Sequence, residues 1–160
     1  MIIGSGSIAR CLQDRENAIF FASGVSNSVA NDKNEFEREM SLLYEFEGFP
    51  YSCFFYFSSI GIETGKKPLS AYFEHKLRME EEIKKIFYNY VILRIGNLIG
   101  DTNPNTFVNY LRAHPEAEIK DEYRYMISPE MLNTLCQTLP LDQKIELTVA
   151  TKIGKVKDLI

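Results

Sequence analysis

The chain has 160 residues, with 18 basic and 22 acidic side chains, two histidines and a formal charge of −4. That length makes one domain able to bury roughly two-thirds of its unfolded surface, and the mild acidity gives no reason to expect nucleic acid as a partner. No basic segment leads an apolar one as in a signal peptide, no apolar run reaches bilayer length, and Cys11, Cys53 and Cys136 are too scattered for a metal site or a disulfide framework, which suits reduced thiols in the cytoplasm.

Met1-Ile2-Ile3 reads as a short strand, and it runs into Gly4-Ser5-Gly6-Ser7-Ile8-Ala9. In such a G-x-G-x-x-A turn the first glycine permits the tight bend and the second lets a diphosphate approach the backbone. The small third residue lets the following helix pack close to the strand. Ala18 to Ala22 is a second strand, followed by a turn through Gly24-Val25-Ser26-Asn27-Ser28. A helix is expected to start near Asn34, with Glu37 as capping-box partner and Phe36, Met40 and Leu43 on its core face.

Tyr51 to Ile62 follows, with a continuous apolar centre at Cys53-Phe54-Phe55-Tyr56-Phe57, as in a parallel strand buried on both faces. It ends in Ser58 and Ser59, at the strand end where open α/β sheets bind ligands. Ordinary strand-end hydrogen bonding is the alternative reading of either serine. After a loop with Gly65 and Pro68, a helix carries Tyr72 and Lys76 one turn apart. Its face continues through Met79, Ile83 and Ile86. A lysine on an inward face is unusual, although many such lysines snorkel to solvent. A cation beside a phenol lowers the phenol's pKa and makes it a usable acid or base. His75 reads as a surface or helix-packing residue.

Tyr90 to Ile95 is a further buried strand. Asn103-Pro104 opens a helix through Phe107, Val108 and Leu111, and Ser128-Pro129 opens another through Leu132, Leu135 and Cys136. Ile145, Leu147 and Val149 alternate as in a late strand. Repeated strand–helix units imply an α/β fold with a doubly wound parallel sheet.

The chain resembles the extended short-chain dehydrogenase/reductase family, which includes nucleotide-sugar epimerases and dehydratases. The matching pieces are Gly4-x-Gly6-x-x-Ala9, Phe20-Phe21-Ala22-Ser23-Gly24, Phe57-Ser58-Ser59, Tyr72-x-x-x-Lys76 with Glu80, and Leu93 through Gly100. Weaker matches lie at Arg124-Tyr125-Met126-Ile127 and in the strand from Lys144 to Ala150. The resemblance covers nearly the whole chain and implies a Rossmann-like domain over residues 1–160, with a small substrate-binding portion from about 101 to 160.

One departure stands out. The resembled family has a crossover and two further strands before the counterpart of Ala18–Gly24. Only residues 10–17 separate Ala9 from Ala18 here, too few for that unit. The sheet is therefore expected to lack its second and third strands, which leaves the first strand at an edge. The acidic residue that holds the adenosine ribose goes with them. Asp14 or Glu16 could stand in, or simply decorate a solvated connection.

Residue by residue, the resemblance implies NAD or NADP held by Gly4, Gly6, Ser7, Ile8, Ala9, Ala22, Ser23, Gly24 and Lys76. Tyr72 would be the general acid/base, Lys76 would lower its pKa and bind the nicotinamide ribose, and Ser59 would polarise the same substrate oxygen. Ser58 would support the backbone. Asn97 and Arg124 would hold a nucleotide-sugar, although the family's Arg-Asp pair is Arg124-Tyr125 here. The implied function is an NAD(P)-dependent epimerase, dehydratase or ketoreductase. The alternative is a non-catalytic nucleotide-binding or subunit-association module of the same fold. The exposed first strand leads to the expectation of a homodimer.

Overall fold

The computed structural model describes residues 1–26, 31–64, 68–100, 107–116 and 123–158. The chain begins with β1 (Ile2–Ile3), the short helix α1 (Ser7–Cys11) and β2 (Ala18–Phe21). It continues through α2 (Lys33–Tyr44), β3 (Cys53–Ser59), the single turn α3 (Gly61–Thr64), α4 (Ala71–Ile86) and β4 (Tyr90–Ile95). Then come β5 (Asn97–Leu98), α5 (Phe107–Ala113), β6 (Tyr123–Ile127), α6 (Pro129–Thr138), β7 (Lys144–Val149) and β8 (Lys152–Lys155).

Five strands form one parallel sheet in the order β1-β2-β3-β4-β7. The apolar runs of β2, β3 and β4 are buried on both faces because side chains alternate between two cores. Phe20, Phe55, Phe57, Val91 and Leu93 pack on one side with Leu132 and Cys136 of α6. Ile19, Phe21, Phe54, Tyr56 and Ile92 pack on the other with Met40 and Leu43 of α2 and Met79 and Ile83 of α4. Each such side chain contributes roughly 1.5–3 kcal/mol by leaving water, so the three central strands dominate the sheet's stability.

The shortened connection behaves as its length requires. Residues 10–17 contain the end of α1 and a turn but no strand, and β1 lies at the edge beside β2. Asp14 and Glu16 are both exposed there. Gly4 has a φ of +119°, and a Cβ on it would lie 2.5 Å from the Ala22 carbonyl oxygen, so the turn needs glycine to bring β1 against β2.

Some boundaries differ from the sequence expectation. Helix α2 is capped by Asp32, whose side chain accepts from the Asn34 amide, and Glu37 is exposed instead of closing a capping box. The strand expected from Tyr51 to Ile62 is shorter, because the chain turns into α3 after Ser59. In β7, Ile145 and Val149 pack on the core, but Leu147 is exposed at the sheet's edge. The expected starts at Asn103-Pro104, the turn residues Asn27 and Ser28, and Gly65 lie outside the described residues. A second sheet, β5-β6-β8, has no counterpart in the sequence expectation. It pairs β5 with β6 in parallel and β6 with β8 antiparallel.

Candidate active site

Helix α4 carries the central pair. Its 16 residues contain no Gly or Pro, with Glu74 in the first turn and Lys84 and Lys85 in the last, matching the helix dipole. Tyr72, Lys76, Met79 and Ile83 recur at steps of four, three and four, and all four are buried. Met79 and Ile83 fill the core, so the same face carries Tyr72 and Lys76 inward at the end nearer the strand C-termini.

Ser59 ends β3, and its hydroxyl lies near enough to the Tyr72 phenol to favour the ionised form. The same oxygen accepts from the Gly61 amide at 3.3 Å. Ser58 points elsewhere: its hydroxyl donates to Glu80 Oε1 at 2.6 Å, so it secures a buried carboxylate of α4, a role beyond backbone support. Glu80 is in turn gripped by Arg94 of β4, through Nε at 3.0 Å and Nη2 at 2.5 Å. Arg94 also reaches Glu63 at 2.9 Å and Glu146 at 3.2 Å, tying α3, α4 and β7 around the strand ends.

Lys76 is 2% exposed. Its ammonium donates to Glu39 Oε1 and to the Tyr56 hydroxyl, each at 3.0 Å, and lies 5.7 Å from the centre of the Tyr72 ring. The expectation that it would lower the phenol's pKa fails in this geometry. Burial, aided by the charge of Glu39 and opposed by the nearby Ser59 hydroxyl, pushes the Tyr72 phenol up to about 12. Glu39 stands close enough to cancel the cation, and a desolvated phenol resists ionisation.

Glu39 is the functional-site residue that sequence reading missed. It lies on α2 next to the core position Met40 and is fully buried. Lys76 itself was the available signal, since a lysine on an inward face requires a counter-charge. His75 is likewise buried: its Nε2 lies 3.0 Å from Glu39 Oε2, and its ring stacks on Phe36 at 4.4 Å. It is a helix-packing residue and not a surface one.

Some of the residues expected at the cofactor are neighbours in space. Gly4 abuts Ala22 and Ser23, and a Cβ on Gly24 would lie 2.7 Å from the Lys76 ammonium. Gly6 is the N-cap of α1, with no side-chain cap and nothing within 4 Å of where its Cβ would be. Ser7 and Ile8 open that helix and Ala9 packs inward from it. Open space at Gly6 and close packing at Gly4 fit a diphosphate turn, and Gly24 joins that turn to Lys76. Among the described residues no strand stands where an adenosine ribose would find its acidic partner. Asn97 and Arg124 sit on the second sheet. Asn97 is two residues beyond Ile95, the register partner of Ser59, and its amide reaches the Tyr125 carbonyl at 3.5 Å. Arg124 pairs with Gly154 in the strand register. No group of His, Cys, Asp and Glu that could hold a metal occurs among the described residues, and no helix among them is long and apolar enough to cross a membrane.

Solved structures share this fold. A UDP-N-acetylglucosamine 4-epimerase from Methanobrevibacter ruminantium M1, in complex with UDP-N-acetylmuramic acid, matches with a TM-score of 0.62 and 18% identity, over 96% of this chain and 61% of that one. A UDP-glucuronic acid 4-epimerase from Bacillus cereus, with a fluorinated UDP-sugar and NAD, matches at 0.66 and 14%, over 96% and 60%. A dTDP-glucose 4,6-dehydratase from Bacillus anthracis with NAD matches at 0.67 and 11%, over 89% and 54%. The chain has the fold of these enzymes. It spans little more than half of their length, in keeping with the absent strands beside β1. No protein-family model and no curated protein matches the sequence.

Proposed function

We propose that the chain is an NAD(P)-dependent epimerase, dehydratase or ketoreductase acting on a nucleotide-linked sugar, with Ser59, Tyr72 and Lys76 as its reacting set. The observation that carries this reading is the closeness of the Ser59 hydroxyl to the Tyr72 phenol on a fold shared with NAD-bound nucleotide-sugar enzymes, with Lys76 one turn away. The Gly4–Ala9 turn and Ala22–Gly24 would hold the dinucleotide, which supplies hydride transfer when bound. Tyr72, kept protonated by its buried setting, is in the form that gives a proton to a carbonyl oxygen, and Ser59 donates to the same oxygen. Asn97 and Arg124 would face the nucleotide-sugar from the second sheet.

Calorimetry with NAD, NADH, NADP and NADPH, followed by UDP- and dTDP-sugars, tests the reading. Binding of a dinucleotide and turnover lost in Tyr72→Phe support it, and the absence of binding to all four cofactors rejects it. The missing strands favour a second reading, a non-catalytic nucleotide-binding or subunit-association module, in which a sugar nucleotide binds without turnover. On either reading we place residues 1–160 in one domain, with about 101–160 as its substrate-binding portion. We place it in the cytoplasm, where three free thiols are at home. We also expect a homodimer, because β1 presents an unpaired edge to a partner. Light scattering that shows only monomer at micromolar concentration would exclude the dimer.

A further inference from the structure

Four side chains from three elements meet in a closed polar site beside the reacting set: Glu39 of α2, Tyr56 of β3, and His75 and Lys76 of α4. Each oxygen of Glu39 has two partners. Oε1 accepts from the Tyr56 hydroxyl at 2.9 Å and from Lys76 at 3.0 Å, while Oε2 accepts from the Val25 amide at 2.8 Å and faces His75 Nε2 at 3.0 Å. Gly24 closes the site, since a Cβ there would lie 2.6 Å from Glu39 Oε1. The Tyr56 hydroxyl, which accepts from Lys76, completes a triangle of hydrogen bonds.

Such a site is more than packing. A lysine this deeply buried sheds its proton unless an opposite charge holds it, and a lone carboxylate at the same depth takes one up. Burial lowers the Lys76 pKa, and Glu39 is the largest influence opposing that shift. The other charged or titratable groups acting on the pair are Arg38 of α2, Glu80 and Tyr72 of α4, and the neighbouring His75 and Tyr56.

We propose that Glu39 is the positioning residue of this site: it fixes the Lys76 ammonium beside Tyr72 and keeps it charged in a dry environment. The functional side of this assignment rests on the reading of Ser59, Tyr72 and Lys76 given above, while the coupling of Glu39 to Lys76 stands apart from it. Glu39→Gln keeps the size and shape of the side chain, removes its charge and turns one of its two accepting oxygens into a donor. Lys76 then faces burial with no adjacent anion.

The test is a pH titration of Lys76 followed by NMR of ¹³Cε-labelled lysine in wild type and Glu39→Gln, with no cofactor present. The midpoint should fall by roughly 2 pH units or more in the variant, and a midpoint within half a unit of wild type overturns the proposal. Calorimetry with NAD adds a readout that a purely structural carboxylate would not move. Affinity in Glu39→Gln should decline with rising pH at the variant's own Lys76 midpoint, while wild type stays flat there; a flat profile in the variant also overturns it. If Glu39→Gln does not fold, Glu39→Gln combined with Lys76→Met leaves neither charge stranded and should restore folding. A double variant as unstable as the single one counts against the proposal. Wild-type protein that binds none of NAD, NADH, NADP and NADPH defeats the enzymatic reading, and the lysine titration still decides whether Glu39 governs Lys76.

Discussion

Ser58 donates to Glu80 across 2.6 Å, joining the end of β3 to the middle of α4 inside the protein. Because Arg94 holds both oxygens of the same carboxylate, Glu80 fixes how α4 lies on the strand ends, and with it where Tyr72 stands relative to Ser59. Glu80→Ala leaves a buried hydroxyl and a partly buried guanidinium without their shared acceptor. Arg94 retains Glu63 and Glu146, so the expected loss is about 3 kcal/mol, at the low end for a broken buried pair. Ser58→Ala should cost about 1 kcal/mol. Urea denaturation of both variants checks the order, and equal losses would show that Arg94 does not depend on Glu80.

Tyr72→Phe removes only the ionisable oxygen. Turnover on the true substrate should fall by about 10²–10⁴-fold, the usual contribution of a positioned acid or base, with dinucleotide affinity and melting temperature close to wild type. Steady-state kinetics beside calorimetry separates the two effects. Undiminished turnover removes Tyr72 from the reacting set.

The two glycines of the first turn should respond differently. Gly4→Ala places a methyl 2.5 Å from the Ala22 carbonyl at a φ of +119°, and should destabilise the fold by about 1–3 kcal/mol. Gly6→Ala meets no atom within 4 Å, so its stability should change by less than about 1 kcal/mol while dinucleotide binding weakens. Thermal denaturation and calorimetry on the pair are sufficient. A Gly6 variant that binds normally would mean that the diphosphate does not approach this turn.

Acid should find the Glu39 site. Burial alone would raise its carboxyl, but the charge of Lys76, the hydrogen bond to His75 and the Val25 amide bring it from 4.5 down to about 2. Between those values the unfolded chain binds the proton and the folded one does not. Stability is thus present above about 4.5 and is lost as pH falls toward 2, by on the order of 3 kcal/mol from this group. Denaturation midpoints at pH 6, 4 and 2.5 measure the loss. It should shrink in Lys76→Met, where the carboxyl's principal support is gone.

The central strands were legible because their burial on both faces leaves an uninterrupted signature, as in Cys53 to Phe57. The missing crossover was legible from length alone, since eight residues cannot span it. The face of α4 could be read through Ile86 because helical spacing dictates which side chains align. The second sheet could not be read: its strands are two to five residues long, and pairing between distant short segments has no local pattern. Glu39 was hidden for a related reason. Its partners lie 17 and 37 residues away, and Tyr56 among them sits inside a run that reads as hydrocarbon. The upward shift of Tyr72 followed first from its burial and then from that same hidden anion.

Strand β3 is paired at every residue, with β2 over Cys53–Tyr56 and with β4 over Phe54–Ser59, whereas β1 has two residues and one neighbour. In a native-state hydrogen-exchange experiment the amides of β3 and β4 should therefore be the last to open and those of β1 the first. Ser58 and Ser59 stand at the end of the slowest-opening strand, and Gly4 and Gly6 follow the fastest. The two halves of the proposed site would thus differ in persistence. A dinucleotide that bridges them would have to protect the β1 turn from exchange far more than it protects the serines.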